Sequence, residues 1–523
     1  MAAPMATRMA IFLVHGMPVV CQLLGSLLLL ALVRCRRYIA EDLCSSSRRT
    51  GIAVLCTLGL FLYLVIFQVG HFHREVIDEY WFVEWARNLA LGKGFVDCWY
   101  VGLDETACRQ LTDMPAWPTA IASVSVLAGV GSWTAIRLSI FCGLATVALT
   151  FLVGRALFGD LAGLVAAVFL AVNPVHLIWS ATAANNVFAL ALVLLVVYLS
   201  LLYMRSREPW LLLACMLALC VSLLSRVEYT LFIMPLAMLL RAEGAWPPRH
   251  HWRYAILPLA LVALVYLPMV RMKADHPKNV VYTGDLLWNQ SIQYLFKVAI
   301  GFYILLPAEI LVLVALLMVD RTERRSVVAL GAWFLVFFLF YNTWLSEGQD
   351  RLFLVTLVPL FLLAGLGARL LRARFGIHEL VTLTVCLLFA IGPLDTLSRG
   401  EEGLGSLSWN ALATRLVNDW PFDSDCYIIS EEPSLYMSTG VARAVAARAV
   451  LDDPSLVREL VGSGACVRLA KNASGSLEPE LERLMAILQG QGYSLIEMEA
   501  IGVPGANVTL YAPLAGRVHP LSV

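Results

Sequence analysis

HFHREVIDEYWFVEWARNLALGKGF, residues 71–95, is the stretch around which the rest of the chain is organised. It follows a long apolar segment and carries an acidic pair, Asp78 and Glu79. Behind the pair, Tyr80, Val83, Trp85, Arg87 and Leu89 recur at roughly helical spacing until Gly92, Lys93 and Gly94 break the pattern. The pattern predicts a short amphipathic helix lying on a membrane surface with two carboxylates at its entrance. Carboxylates at a membrane boundary are costly to desolvate, so they point to chemistry or ion handling there. A solvated acidic loop is the plainer alternative.

The composition on either side makes the membrane explicit. Of 523 residues, 60% are hydrophobic and only 15% charged, and mean hydropathy is +0.76. Soluble domains carry about 25% charged residues, so a mainly α, polytopic membrane protein is expected. Lys and Arg total 38, as do Asp and Glu, and this balance gives no sign of a nucleic-acid partner. Most of the twelve cysteines sit in apolar runs as small hydrophobes. Cys98 with Cys108 and Cys426 with Cys466 fall outside those runs, and either pair is a candidate disulfide in an oxidising compartment; no spacing resembles a zinc site.

Charge then sets topology. Residues 9–33 are long enough to span, and Arg34, Arg36, Arg37, Arg48 and Arg49 follow them, which places 34–50 in the cytoplasm. Residues 51–70 cross outward, so Asp78 and Glu79 reach the external or lumenal face. The outer loop runs to about 131, and its apolar piece from Pro115 to Leu127 is short enough to dip into the outer leaflet without crossing. Further crossings alternate, with spans at 161–179, 210–225, 228–240, 292–318 and 379–395 among them. Arg155, Arg205, Arg241, Arg321 and Arg369 mark successive inner ends. About twelve transmembrane helices result. Residues 1–50 thus form an added N-terminal segment and linker, 51–396 the membrane core, and 397–523 a soluble part. There, strand-like runs Cys426–Ser430, Cys466–Ala470 and Tyr493–Glu497 alternate with helical ones at 454–462 and 477–491. They imply a small extracytoplasmic α/β domain. Asn289, Asn472 and Asn507 begin glycosylation sequons.

On this topology polar residues gather on the outer face: Asp78, Glu79, Arg226, Glu228, Glu347, Asp350 and Arg351. They suit transfer of a sugar from a polyprenyl phosphate, whose phosphate lies at headgroup depth. An arginine can hold the phosphate and neutralise the charge that develops as it leaves. A carboxylate can take the proton of an attacking hydroxyl. Each feature has a plainer explanation: Arg226 and Glu228 a hairpin ion pair, residues 347–351 a solvated turn, His71 and His73 headgroup contacts, Lys93 a snorkelling side chain, Arg137 an anchor.

The sequence also resembles a family. Ile77-Asp-Glu-Tyr80, Ala86-Arg-Asn-Leu-Ala90 and Gly92-Lys-Gly-Phe95 resemble the first outer-loop motif of the GT-C membrane glycosyltransferases. The protein O-mannosyltransferase and aminoarabinose transferase branch, with its bacterial Rgt-like members, is the most similar. The match continues in order through Pro115-Ala-Trp-Pro118, Ala135-Ile-Arg-Leu138, Gly154–Gly159, Asn173-Pro-Val-His176, Ser225–Glu228 with Pro235, and Arg351-Leu-Phe-Leu354 with Pro359. It covers about residues 55–370. The resemblance implies a GT-C fold, Asp78 as catalytic carboxylate and Glu79 as its support. It implies Arg226 as the contact to the lipid-linked phosphate. Glu228, Asn185, Lys93 and Arg351 are further candidates for binding the substrate. The family tends to place an acid in the second outer loop, where this chain has Ala183-Ala-Asn185-Asn186. Amides can position a sugar but cannot serve as a base or bind a metal strongly, so participation of a divalent metal stays open.

The expected activity is inverting transfer to an acceptor hydroxyl on a glycan, lipid or protein, in the cell membrane of a bacterium or the endoplasmic reticulum of a eukaryote. A secondary transporter would need mid-span acids and an internal repeat of broken helices, neither of which the sequence shows. A family member that has lost catalysis and serves as a binding or assembly subunit draws support from Asn185.

Overall fold

The computed structural model describes residues 11–69, 78–97, 109–111, 114–129, 131–242, 247–275, 306–344 and 354–377, with scattered positions from 381 to 394. Further on it describes 427–430, 443–452, 466–472, 479–490, 493–503 and 506–515, and single residues at 457 and 461. Two compact units make up the chain. The first comprises residues 1–71, 112–120 and 136–401, the second residues 72–111, 121–135 and 402–523.

The first unit is helical. After a π turn at Phe12–Gly16, α1 runs Met17–Cys44 and α2 Arg48–Tyr63, the latter extended by a second π turn to Gln68. Ser47 caps α2, its hydroxyl accepting the Thr50 amide at 3.1 Å. α3 (Asp78–Ala90) belongs to the second unit; α4 (Ala116–Ala128) and α5 (Ser132–Phe158) follow. Then come α6 (Asp160–Ala171), α7 (Pro174–Ser180), α8 (Asn186–Ser206), α9 (Pro209–Leu223), a 3-10 turn (Val227–Phe232) and α10 (Ile233–Ala242). The series closes with α11 (Arg253–Asp275), α12 (Leu306–Met318), α13 (Arg324–Trp344) and α14 (Leu354–Phe375).

Among the described residues six helices are long and apolar enough to cross a membrane, and a seventh span results if the bent pair α6–α7 counts as one. Four shorter apolar helices, α4, α9, part of α11 and α12, occur with them. The chain is an integral membrane protein. The expected single span at 161–179 is instead broken, with α6 and α7 meeting at 65°. Pro174 cannot continue α6, and the Asn173 side chain caps the new helix by accepting the His176 amide at 3.0 Å. The expected span at 228–240 likewise divides into the 3-10 turn and α10. All of 292–305 and part of 379–395 lie outside the described residues.

Burial ranks the helices. Of the six candidate spans among the described residues α14 is the most buried, with 83% of its apolar window covered, and it packs against α12, α6 and α13. α9 packs against α8, α1 and α11. Close approach to α14 depends on glycine: a methyl on Gly365 would collide with the Ala162 carbonyl of α6, and one on Gly367 with the Leu311 carbonyl of α12. The N-terminal helix is tied in by Asp42, which pairs with Arg155 of α5 and Arg205 of α8 and accepts the Tyr198 hydroxyl at 2.9 Å.

In the second unit a two-residue ladder joins β1 (Val96–Asp97) to β2 (Arg109–Gln110). The C-terminal segment forms β3 (Tyr427–Ser430), β4 (Arg443–Ala446), α15 (Ala447–Asp452), β5 (Val467–Asn472), α16 (Pro479–Gly490), β6 (Tyr493–Val503) and β7 (Ala506–Ala515). The sheet order is β4-β3-β5-β7-β6, parallel over the first three strands and antiparallel over the rest. Leu481, Leu484 and Leu488 bring one face of α16 onto Ile429, Val467 and Leu469. The small C-terminal α/β sheet structure expected from the sequence is thus present. Cys466, just before β5, is disulfide-bonded. Cys426, its expected partner, lies outside the described residues, one position before the register pair Tyr427 and Val467.

Candidate active site

Two segments far apart in sequence converge on Arg226. α9 ends at Leu223, and the Ser225 and Arg226 amides both donate to the Ser222 carbonyl at 3.0 Å. Arg226 itself is extended, and its carbonyl accepts the Tyr229 amide at 3.2 Å to start the 3-10 turn. From this fixed backbone Arg226 Nε donates to Glu228 Oε1 at 2.6 Å, while Nη1 donates to Asn185 Oδ1 at 3.2 Å. Asn185 Nδ2 in turn donates to the Ser225 carbonyl at 2.9 Å. Asn185, Arg226 and Glu228, all expected at the site, therefore form one cluster.

The Pro115–Pro118 motif braces both loops. The Ala116 amide donates to the Leu224 carbonyl at 3.1 Å. The fully buried Trp117 donates its indole N–H to the Ala183 carbonyl at 2.7 Å and lies tilted against Phe188, 5.0 Å between centroids. A buried indole needs an acceptor, and here it is the loop that presents Asn185. Tyr341 of α13, which sequence reasoning missed, donates its hydroxyl to Glu228 Oε1 at 3.4 Å. Its only signal was a hydroxyl at the end of an aromatic run, Phe337–Tyr341, and that run reads equally well as lipid-facing.

Glu228 and Arg226 retain 14% and 12% of their side-chain exposure. Such a pair is well desolvated, so each charge depends strongly on the other. The cluster carries one cation and one carboxylate, together with an amide and a phenol. That arrangement can receive an anion at the guanidinium and hydroxyls at the carboxylate and amide.

Of the other expected residues, Asp78, Glu79 and Lys93 belong to the second unit. Asp78 is the first residue of α3 and Glu79 follows it, fully buried. Lys93 is exposed in the turn after α3, between Gly92 (φ +78°) and Gly94 (φ +96°), its amide donating to the Asn88 carbonyl at 2.9 Å. Positive φ at both neighbours is the backbone reason for the Gly-Lys-Gly sequence. Arg137 is exposed on α5. Glu347, Asp350, Arg351, His71, His73, Cys98 and Cys108 lie outside the described residues. α3 also buries a carboxylate the sequence reading passed over. Glu84 is 3% exposed and accepts Asn88 Nδ2 at 3.2 Å, and the same nitrogen reaches the Val96 carbonyl at 3.0 Å. Among the described residues no three His, Cys, Asp or Glu side chains gather as a metal cage.

Residues 113–270, which contain Asn185, Arg226 and Glu228, match the family of dolichyl-phosphate-mannose-protein mannosyltransferases. No curated protein sequence matches the chain. Among solved structures, ArnT from Cupriavidus metallidurans in the apo state is similar with a TM-score of 0.60 at 15% identity, over 89% of this chain and 98% of that one. The same protein bound to undecaprenyl phosphate gives 0.57 at 14% identity, covering 88% and 97%. The archaeal oligosaccharyltransferase AglB from Archaeoglobus fulgidus, in complex with an inhibitory peptide and a dolichol-phosphate, gives 0.50 at 10% identity, covering 91% and 75%. Apolar helices and a small C-terminal sheet make this a polytopic membrane protein. The chain has the GT-C fold of these structures.

Proposed function

We propose that this protein transfers a sugar from a polyprenyl-phosphate donor to an acceptor hydroxyl on the extracytoplasmic face, with inversion at the anomeric carbon. The observation that carries the reading is the desolvated but still accessible Arg226–Glu228 pair, held within the mannosyltransferase-like segment. Proteins of this fold have been solved with undecaprenyl phosphate and with a dolichol-phosphate, which supports a lipid phosphate as the anion. A planar guanidinium suits a phosphate because its N–H groups match two oxygens at once.

In the reaction, the acceptor oxygen attacks the anomeric carbon and the bond from that carbon to the phosphate oxygen breaks, its electron pair leaving with the phosphate. Asp78 takes the acceptor proton as general base, and Glu79 supports it. Arg226 stabilises the charge that grows on the departing phosphate, with Lys93 and Arg351 as further cationic contacts. Glu228 and Asn185 support Arg226 through their hydrogen bonds to it. The donor sugar is a hexose or pentose of the mannose-like kind, and the acceptor a glycan, lipid or protein. The basic residues on alternate loops favour an outward-facing site. The disulfide at Cys466 suits an oxidising compartment for the C-terminal domain. A non-catalytic subunit of the same fold is the second reading, favoured by the amide at position 185.

The test is transfer of radiolabelled sugar from a panel of polyprenyl-phosphate donors in membranes holding wild type or Arg226→Lys. Lysine keeps the charge beside Glu228 and removes the fork. One donor is expected to react, with kcat/KM falling roughly 10- to 100-fold in the variant, the scale of a charge-assisted hydrogen bond. Equal transfer by the variant contradicts the assignment of Arg226, and no transfer from any donor favours the non-catalytic subunit.

A further inference from the structure

Asn185 stands where the resembled family tends to carry an acid, and its two hydrogen bonds give the amide a use that a carboxylate cannot fill. Its Oδ1 accepts from Arg226 Nη1 at 3.2 Å, and its Nδ2 donates at 2.9 Å to the carbonyl of Ser225, the peptide immediately before Arg226. A guanidinium only donates and a backbone carbonyl only accepts, so the neighbours dictate which way the amide faces. An aspartate could accept from Arg226 but would set a negative oxygen against the Ser225 carbonyl.

Charge argues in the same direction. Arg226 already shares its Nε with Glu228 at 2.6 Å. A second carboxylate would make the cluster net negative and compete with an incoming phosphate for the one guanidinium. Asn185 contributes an acceptor without contributing charge. On the other side of the pair, Tyr341 donates to Glu228 Oε1, the oxygen that receives Arg226 Nε. With Nε and Nη1 occupied, the Nη2 amino group makes no hydrogen bond to another described residue.

We infer that Asn185 and Tyr341 are positioning residues: they hold the Arg226–Glu228 pair so that the Nη2 edge of the guanidinium is left for the phosphate of a polyprenyl-phosphate ligand. This rests on the glycosyltransferase reading above and adds to it the two residues that set the arginine's geometry and the cluster's charge. Neither residue touches the reacting atoms.

The experiment measures binding of undecaprenyl phosphate and dolichyl phosphate to the purified full chain in detergent, with no turnover involved. Wild type is compared with Asn185→Ala, Asn185→Asp and Tyr341→Phe, and the melting temperature of each is recorded alongside. Kd is expected to rise about tenfold for Asn185→Ala. For Asn185→Asp it should rise further, because that variant adds a competing charge. Tyr341→Phe should weaken binding by a smaller factor while melting near wild type. If the Asn185 variants bind within twofold of wild type, the positioning role is overturned while the function stands. A lower melting temperature with unchanged Kd means that Asn185 serves only the fold, which also overturns the role. Failure of wild type to bind either lipid removes both the role and the function on which it rests.

Discussion

Glu84 is a carboxyl that the second unit keeps almost wholly out of water. Burial raises its pKa above the ordinary 4.5, while Arg87, the Asn88 hydrogen bond and Lys93 pull it down without restoring it. A raised carboxyl favours folding below its unfolded pKa and loses that contribution as pH climbs through the folded value. Glu84→Gln keeps the acceptor for Asn88 and cannot ionise. Its melting temperature should therefore exceed that of wild type at pH 8, and the gap should close toward pH 4. A gap that is constant with pH would show that ionisation is not what burial penalises there. The sequence made some residues readable and hid others for a physical reason. Arg226 and Glu228 stand out because charges are costly inside apolar runs. Tyr341 acts through a partner 113 residues away, and no local pattern carries such a distance. Glu84 was hidden because a carboxylate on an amphipathic helix ordinarily reads as solvated.

At the scale of elements, apolar runs located the helices well, and breaks within them less so. Asn173-Pro174 carried both a capping residue and a helix breaker, yet hydropathy alone ran straight through it into α7. The same limit hid β7, since Pro513 demotes a run that otherwise reads as a strand. The ladder explains the tolerance: β5 pairs with β7 only over Val508–Tyr511, so Pro513 lies beyond that pairing. Close helix contacts were illegible because they depend on which helix approaches a glycine. Gly365→Ala should drive α14 against the Ala162 carbonyl and cost on the order of 1–3 kcal/mol. Thermal unfolding of the detergent-purified variant checks this. Gly331, with open space around it, is the control, and Gly331→Ala should melt at or slightly above wild type.

For the molecule as a whole, composition established a membrane protein, and an ordered series of short motifs pointed to the GT-C fold where each motif alone is unspecific. One of those motifs now has a structural reason, because Ala116 and Trp117 bond to the loops that carry Arg226 and Asn185. The sugar and the acceptor stayed beyond reach of the sequence, because pocket shape depends on loops brought together only by folding. Asp78, at the start of α3, is the proposed base for transfer from a lipid phosphate. The most direct measurement is transfer of radiolabelled sugar from the reactive polyprenyl-phosphate donor by wild type and by Asp78→Asn, at matched protein levels in membranes. Asparagine preserves size and removes the base, so kcat is expected to fall by roughly 10²–10⁴-fold, the usual range for general-base catalysis. Transfer at the wild-type rate by Asp78→Asn would contradict the claim.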